Sequence, residues 1–579
     1  MGLQTMSSIS QMAEEIVVGR GDPVYMAHAY LTKVPVPGIT PFIEAYCPPG
    51  GLVVDPFAGS GMTGVAAIAT GRSSRLSDIS VLGRHIGSNY VNLVDGTELQ
   101  AAGTKALKGA EAEVGSLYSV PCDNCGREAR LSKTVWSVLV ECGSCHEPVN
   151  FHRSLEAAKW SKSNMQCPHC AAAITSRLDR VGEEPVVDYV SCDCSSKQRE
   201  QPARSAPELP TKVLDFPRVE ITPDREMYRA SALGKSGHTT VASFYSPRNL
   251  HALVALRQQI REVENASLSS KLLFAFTATL TRASKRYQWS HKRPLNAANA
   301  NYYIAPIFYE WNVLELFERK VVSVARADEW IRDRAFAHGS DADNAVSEYV
   351  TESAAALSIP DASADYVFTD PPFGSNLYYA DMALFQEGWL DGFTDVTQEA
   401  VIDRSTGTKR SAGRYEQLLT DALRECRRIL KPGGRVSMVF GNSSGKVWAL
   451  VQRAVAAAGL KIEPERIVIL NKGQRSVKGL ASGFEHVATL DLVLTMVQAE
   501  NAEASLIDPS SEEVAVIGRE LAGKGVPTPS HLYLELLRHA LRSGWSVADL
   551  DLRTVTSALI DDGWTIEPTA GRLVRPAAA

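Results

Sequence analysis

Leu52-Val53-Val54-Asp55-Pro56-Phe57-Ala58-Gly59-Ser60-Gly61-Met62-Thr63 decides how this chain is read. The apolar run Leu52 to Val54 predicts a short buried strand, the glycines a tight turn, and Thr63 to Ala69 a helix. Far downstream stands Tyr366-Val367-Phe368-Thr369-Asp370-Pro371-Pro372-Phe373, a second apolar strand that ends in an acid, two prolines and a ring. Strands of a parallel sheet end on one edge, so these two distant segments are expected to line one crevice.

Pro35, Pro37 and Pro41 break the approach to the first strand. A helix is predicted from Thr40 to Tyr46 with Pro41 at its first position. After Gly71-Arg72 a second strand covers Ser74 to Leu76 and ends at Asp78, and a helix follows through Leu82 to Asn92. The strand–helix alternation then stops. Residues 96–117 read as a helical connector, 118–200 as a cysteine-rich insert, and 201–345 as an extended linker and a helical insert. The alternation resumes over 346–497, with strands expected at Ala355 to Ile359, Asp365 to Thr369, Arg435 to Phe440, Ile467 to Leu470 and Ala488 to Met496. Residues 498–579 make a small helical or winged-helix-like appendix, with Trp564 to Val574 as a hairpin. The fold class is therefore α/β, with residues 1–95 and 346–497 forming one mostly parallel sheet interrupted by insertions.

A chain of 579 residues with 45% hydrophobic and 22% charged content can bury several cores. Its net charge of -6 neither advertises nor excludes nucleic acid, because a phosphate backbone meets a local surface. Met1 to Val18 carries Glu14 and Glu15 and lacks the apolar core of a secretory signal, Met6 breaks the myristoylation pattern, and no apolar run reaches membrane-spanning length. The expectation is a cytoplasmic protein.

The glycine turn lacks the lysine of a phosphate-binding loop and the third glycine of a dinucleotide fingerprint. Gly59 and Gly61 would still let backbone approach a ligand, and Asp55 can accept from an amine. An acidic first strand suits S-adenosylmethionine, which has a sulfonium, an amino-acid end and a ribose but no phosphate. Asp78, at the tip of the second strand, is placed to accept the ribose hydroxyls. In Asp370-Pro371-Pro372-Phe373, two prolines stiffen the strand end and leave carbonyls free. The Asp370 carboxylate and the Pro371 carbonyl can accept both hydrogens of an exocyclic NH2, aiming its lone pair at a methyl group, while Phe373 stacks on the base.

Ten cysteines include eight in close pairs: Cys122 and Cys125, Cys142 and Cys145, Cys167 and Cys170, Cys192 and Cys194. This spacing, without an export signal, predicts two structural zinc ions with no open ligand position. Pairing in sequence order joins Cys122, Cys125, Cys142 and Cys145 in one site and Cys167, Cys170, Cys192 and Cys194 in the other; an interleaved pairing stays open. The run from Thr281 to Arg293 holds Arg282, Lys285, Arg286, Tyr287, Trp289, Lys292 and Arg293 without one acid, which suits phosphate contact and wedging beside a displaced base. Lys472, Arg475 and Lys478 lie in a basic loop expected near the same crevice.

Asp55-Pro56-Phe57-Ala58-Gly59-Ser60-Gly61 together with Asp370-Pro371-Pro372-Phe373 resembles the amino-group DNA methyltransferases, which modify adenine N6 or cytosine N4, and within them a branch with an inserted zinc ribbon. The resemblance implies a Rossmann-like methyltransferase core. It implies that Asp55, Phe57, Gly59 and Gly61, with Ala58 and Thr63 in the same turn, contact the donor and that Asp78 holds its ribose. It also implies that Asp370, Pro371 and Phe373, with Pro372 between them, handle the base. His28, Tyr30 and Lys33 resemble the segment beside the methionine end of the donor. Phe373 stands where tyrosine is commoner, and no clear acid follows the third strand, Glu352 or Asp361 being the nearest. The expected activity is methylation of double-stranded DNA at a flipped-out base, adenine N6 ahead of cytosine N4, for host protection or within a defence system with protein partners. RNA methylation is the nearest rival, and a non-catalytic zinc-stabilised recognition subunit is the third reading.

Overall fold

The computed structural model describes residues 12–204, 209, 215–291, 302–374, 378–402, 410–472, 490–499, 506–523, 528–561, 563–566 and 573–574. Its main sheet has eight strands, numbered here in chain order: β1 (Glu15–Val17), β2 (Leu52–Asp55), β3 (Ser73–Asp78), β4 (Ser347–Thr351), β5 (Ala364–Thr369), β6 (Leu430–Phe440), β7 (Leu460–Asn471) and β8 (Asp491–Gln498). Across the sheet they run β1-β7-β8-β6-β5-β2-β3-β4. β8 is antiparallel to both neighbours, and the other pairings are parallel.

Strands covered on both faces must be apolar along their whole length. Val53 and Val54 of β2 and Tyr366, Val367 and Phe368 of β5 are all 1% exposed or less. From β2 the chain steps outward through β3 and β4 on one side and through β5 and β6 on the other. The order therefore reverses between β2 and β5, and a crevice opens beyond their carboxyl ends, where Asp55 and Asp370 lie.

Three sequence expectations change. The helix expected at Thr40 spans Val36–Tyr46, with Pro41 inside it. Pro37 sits in the first turn, where a missing N–H costs nothing, and burial of Ile39, Phe42 and Ile43 offsets the bond lost at Pro41. The third strand is Ser347–Thr351, an edge strand paired with β3, whereas residues 355–359 form no strand. Their apolar Leu357 and Ile359 instead pack in one cluster with Cys426 and Ile429 of the helix Ala412–Ile429. Finally, Ile307–Trp311, within the segment read as helical, is a strand that joins the cysteine lobe.

Between β3 and β4 the chain leaves the sheet to build that lobe and the long helices Gly96–Val114, Pro247–Arg261, Ala266–Ala283 and Val313–Ala337. Beyond β8, the helices Ser511–Gly523, Pro529–Arg542 and Leu552–Asp561 and the short pair Thr565–Ile566 with Leu573–Val574 follow. Leu532, Leu536 and Leu537 share a buried cluster with Ile467 and Leu492, so this appendix closes one face of the sheet. No described helix is long and apolar enough to cross a membrane.

Candidate active site and metal centres

At the end of β2 the Asp55 carboxylate accepts from the Thr63 hydroxyl at 2.6 Å and from the Phe57 N–H at 3.1 Å. These bonds tie the strand end to the first turn of the helix Met62–Ala69. Asp78, at the end of β3, accepts from the Gly59 N–H at 2.8 Å and the Ser80 N–H at 2.9 Å. The Tyr349 hydroxyl donates to the Gly59 carbonyl at 2.8 Å. Gly59 is left-handed at φ 46°, and a side chain there would meet the Tyr30 ring at 3.2 Å.

Gly61 meets a packing constraint that its motif does not announce. At φ 77° it faces Gly87, and a Cβ would lie 2.6 Å from that residue's Cα. It lets two helices touch backbone to backbone and does not line the crevice.

One cavity joins both motifs. Tyr30, Lys33, Asp55, Phe57, Ala58, Gly59, Thr63 and Asp78 line one side, and Asp370 and Pro372 the other. Pro371 and Phe373 flank it. The Pro372 carbonyl is taken by the Tyr415 hydroxyl at 2.7 Å and the Phe373 carbonyl by the Asn442 amide at 2.7 Å. The Pro371 carbonyl has no protein donor among the described residues, and the Phe373 ring rests against Phe440 with centroids 5.1 Å apart.

The electrostatics favour a cation. Burial raises Asp55 to about 7, against its Thr63 hydrogen bond. Burial likewise raises Asp370 to about 7, with the Lys472 charge opposing it. Burial lowers Lys33 to about 7, and its ammonium is spent on the carbonyls of Tyr25 and His28, both at 2.7 Å. A polyphosphate would meet carboxylates here; a sulfonium with an ammonium group would meet complementary charge.

Some lining residues carry no sequence signal. Tyr379, Thr394, Gln398 and Glu399 complete the wall beside Asp370, and Glu399 is bound by Arg410 at 3.1 Å. Ser353, Ala354 and Ala355 form the wall beyond β4. Glu352 and Asp361 lie elsewhere: Glu352 takes bonds from Ser77 and Ser358, and Asp361 pairs with Arg428.

Residues 11–95 match the family model N6_N4_Mtase, DNA methylase. The matched segment holds the Asp55–Gly61 turn and Asp78 and ends well before Asp370. No curated protein matches the chain. Among solved structures the chain is similar to a candidate DNA modification methylase from Thermus thermophilus, at 18% identity, with a TM-score of 0.15, covering 29% of this chain and 57% of that one. The chain thus spans little more than half the length of that protein.

The insert that interrupts the eight-stranded sheet holds two four-cysteine clusters. The long strand Glu128–Glu141 pairs antiparallel with Arg180–Ser191, Arg130 facing Ser191 and Val140 facing Arg180. This hairpin carries the last cysteine pair back to the first. The clusters are therefore Cys122, Cys125, Cys192 and Cys194 at one end, and Cys142, Cys145, Cys167 and Cys170 at the other, which corrects the sequence-order pairing.

Sulfur separations are 3.7 and 3.5 Å in the first cluster and 3.6 and 3.7 Å in the second. Four sulfurs each about 2.3 Å from a tetrahedral zinc lie about 3.8 Å apart, so the donor set fits that ion. Gly126, His146 and Ala171 each follow the second cysteine of a pair in the left-handed region, and each N–H returns to the carbonyl of the first cysteine. His146 turns outward to Glu141 at 2.8 Å, so both sets consist of cysteine alone.

The basic run reads differently in three dimensions. Arg286 is 3% exposed, its guanidinium 5.0 Å from the Tyr302 ring and 4.9 Å from the Phe385 ring. Lys285 pairs with Glu183 of the cysteine lobe at 2.6 Å. Tyr287 is 7% exposed, and Trp289 packs with Trp160 and His152. Of the described cations in the run only Arg282 is exposed, over Tyr287 and Trp311. Most of the run is thus a clamp between the lobe and the helical insert, because ring faces and Glu183 offset the desolvation of its cations. Lys472 is half-buried and pairs with Asp491, and its charge reaches Asp370. Lys292, Arg293, Arg475 and Lys478 lie outside the described residues.

Proposed function

We propose that this chain is a DNA methyltransferase that moves a methyl group from S-adenosylmethionine to an exocyclic amino group, adenine N6 being the preferred target, of a base swung out of the duplex. The observation that carries the reading is the single cavity shared by the Asp55–Gly59 turn and Asp370. Bound S-adenosylmethionine would supply an electrophilic methyl on a sulfonium. Asp55 and Asp78 oppose its positive charge and its hydroxyls, and the Gly59 backbone admits it without a side chain between.

Asp370 and the free Pro371 carbonyl accept the two amine hydrogens and leave the nitrogen lone pair directed across the cavity. As the new N–C bond forms and the C–S bond breaks, the Asp370 carboxylate receives the proton that the nitrogen loses. A carboxyl poised near neutrality can both accept that proton and release it to water. The cysteine lobe and the clamp of Lys285 and Arg286 would hold the insert against the core, where the duplex approaches. Host protection or a defence complex is the setting this activity suits.

Labelled donor should mark double-stranded DNA. Asp370→Asn should lower transfer by about a hundredfold or more, while donor binding stays within a few-fold of wild type. Label found only on RNA would redirect the substrate, and full activity in Asp370→Asn would refute the site.

A further inference from the structure

We propose that Lys472 and Asp491 form a positioning pair that tunes the charge on Asp370 for capture of the amine, an inference that rests on the function proposed above. Lys472 directly follows β7 and Asp491 opens β8, with Leu470 and Asp491 in register. Their side chains form an ion pair only 14% and 10% exposed.

Two features show the pair to be built in. The Arg20 guanidinium donates twice to the Lys472 carbonyl, at 3.1 and 3.0 Å, and anchors the chain where the lysine turns inward. Gly441, just past β6, leaves the space that Asp491 fills: a Cβ there would lie 2.1 Å from the carboxylate. β6 is the immediate neighbour of β5, which carries Asp370. The pair thus sits at the end of the catalytic strand and not on a surface loop.

The groups whose charge reaches Asp370 are Asp55 from β2, Asp491 from β8, Lys472 from β7 and the Tyr379 hydroxyl, which bonds Thr32 at 2.9 Å. Tyr25 also faces Lys472. Among these groups of the described residues Lys472 is the one cation. Burial raises both Asp55 and Asp370, and the Lys472 charge is what opposes that rise at Asp370. Asp491 and Asp370 together raise the lysine, which stays charged at neutral pH, and the lysine opposes the protonation of Asp370 that burial and the Asp491 charge favour.

This arrangement predicts opposite signs for the two partners. Lys472→Met should move the acid limb of single-turnover methyl transfer upward by about one pH unit or more. Asp491→Asn removes a repelling charge and should move it downward. Lys472→Arg should restore a limb near wild type, and the double variant Lys472→Met with Asp491→Asn should fall between the two single changes. A part that only supports the fold would lower activity in both variants without shifting either limb in opposite directions.

The same series is read independently of turnover by a diazo reagent, which esterifies only protonated carboxyls, with mass spectrometry of the Asp370 peptide against pH. Opposite shifts of that midpoint support the pair even if no nucleic acid is methylated, in which case the function proposed above fails alone. Methyl transfer with unmoved limbs and unmoved midpoints, or with both moved the same way, overturns the pair and leaves the function standing.

Discussion

Replacing Cys192 and Cys194 by serine in the full chain tests the nested cysteine pairing. The hairpin places these residues with Cys122 and Cys125, so one metal should be lost and the other kept, and zinc should fall from two ions to one per chain. The strand Glu128–Glu141 has 14 residues, which at about 3.3 Å each separates the clusters by roughly 40 Å. Sites that far apart respond independently. The local loss is on the order of 10 kcal/mol of metal-linked folding free energy, confined to the end of the hairpin that holds Cys122. Alkylation followed by peptide mass mapping reads the outcome directly. Cys122 and Cys125 should label rapidly, while Cys142, Cys145, Cys167 and Cys170 stay protected by their ion. Labelling of Cys167 and Cys170 instead, with Cys122 and Cys125 protected, would refute the hairpin argument and restore the sequence-order pairing.

Gly61→Ala should destabilise the chain by about 2–4 kcal/mol, combining left-handed strain with a backbone clash at Gly87, seen as a lower denaturation midpoint. Gly59→Ala, whose neighbour is the movable Tyr30 ring, should cost less stability and more donor affinity. Affinity for S-adenosylmethionine should rise between about pH 6 and 7.5, measured by calorimetry. Asp55 and Asp370, both raised to about 7 by burial, ionise across that window and Lys33, lowered to about 7, loses charge, so all three changes favour a cation; falling affinity would contradict this. Arg286→Ala should lower the melting temperature, by roughly 2 kcal/mol of lost ring contact. It should leave the salt dependence of DNA binding unchanged, whereas a phosphate contact would reduce that slope by about one.

The two segments that line the cavity were legible because their signals are local. A continuous apolar run must be a strand buried on both faces, as at Val53 and at Val367, and Gly59 is needed where φ is 46°. Two prolines end β5 wherever the strand is placed. The strand Ser347–Thr351 was not legible, because it is an edge strand in which only Tyr349 is buried, so no apolar run marks it. Glu399 and Tyr379 reach the cavity from segments with no motif at all.

By itself, then, the order of residues determined the sheet's switch-point strands, the acid at each strand end and the number of closely paired thiols, since each follows from the chemistry of a few adjacent residues. Only the tertiary structure decided which thiols share an ion, that Arg286 is enclosed by rings, that Gly61 serves a helix contact and that Lys472 meets Asp491. Those outcomes depend on which distant surfaces exclude water together, and a charge or a cysteine is the same letter on either side of that boundary.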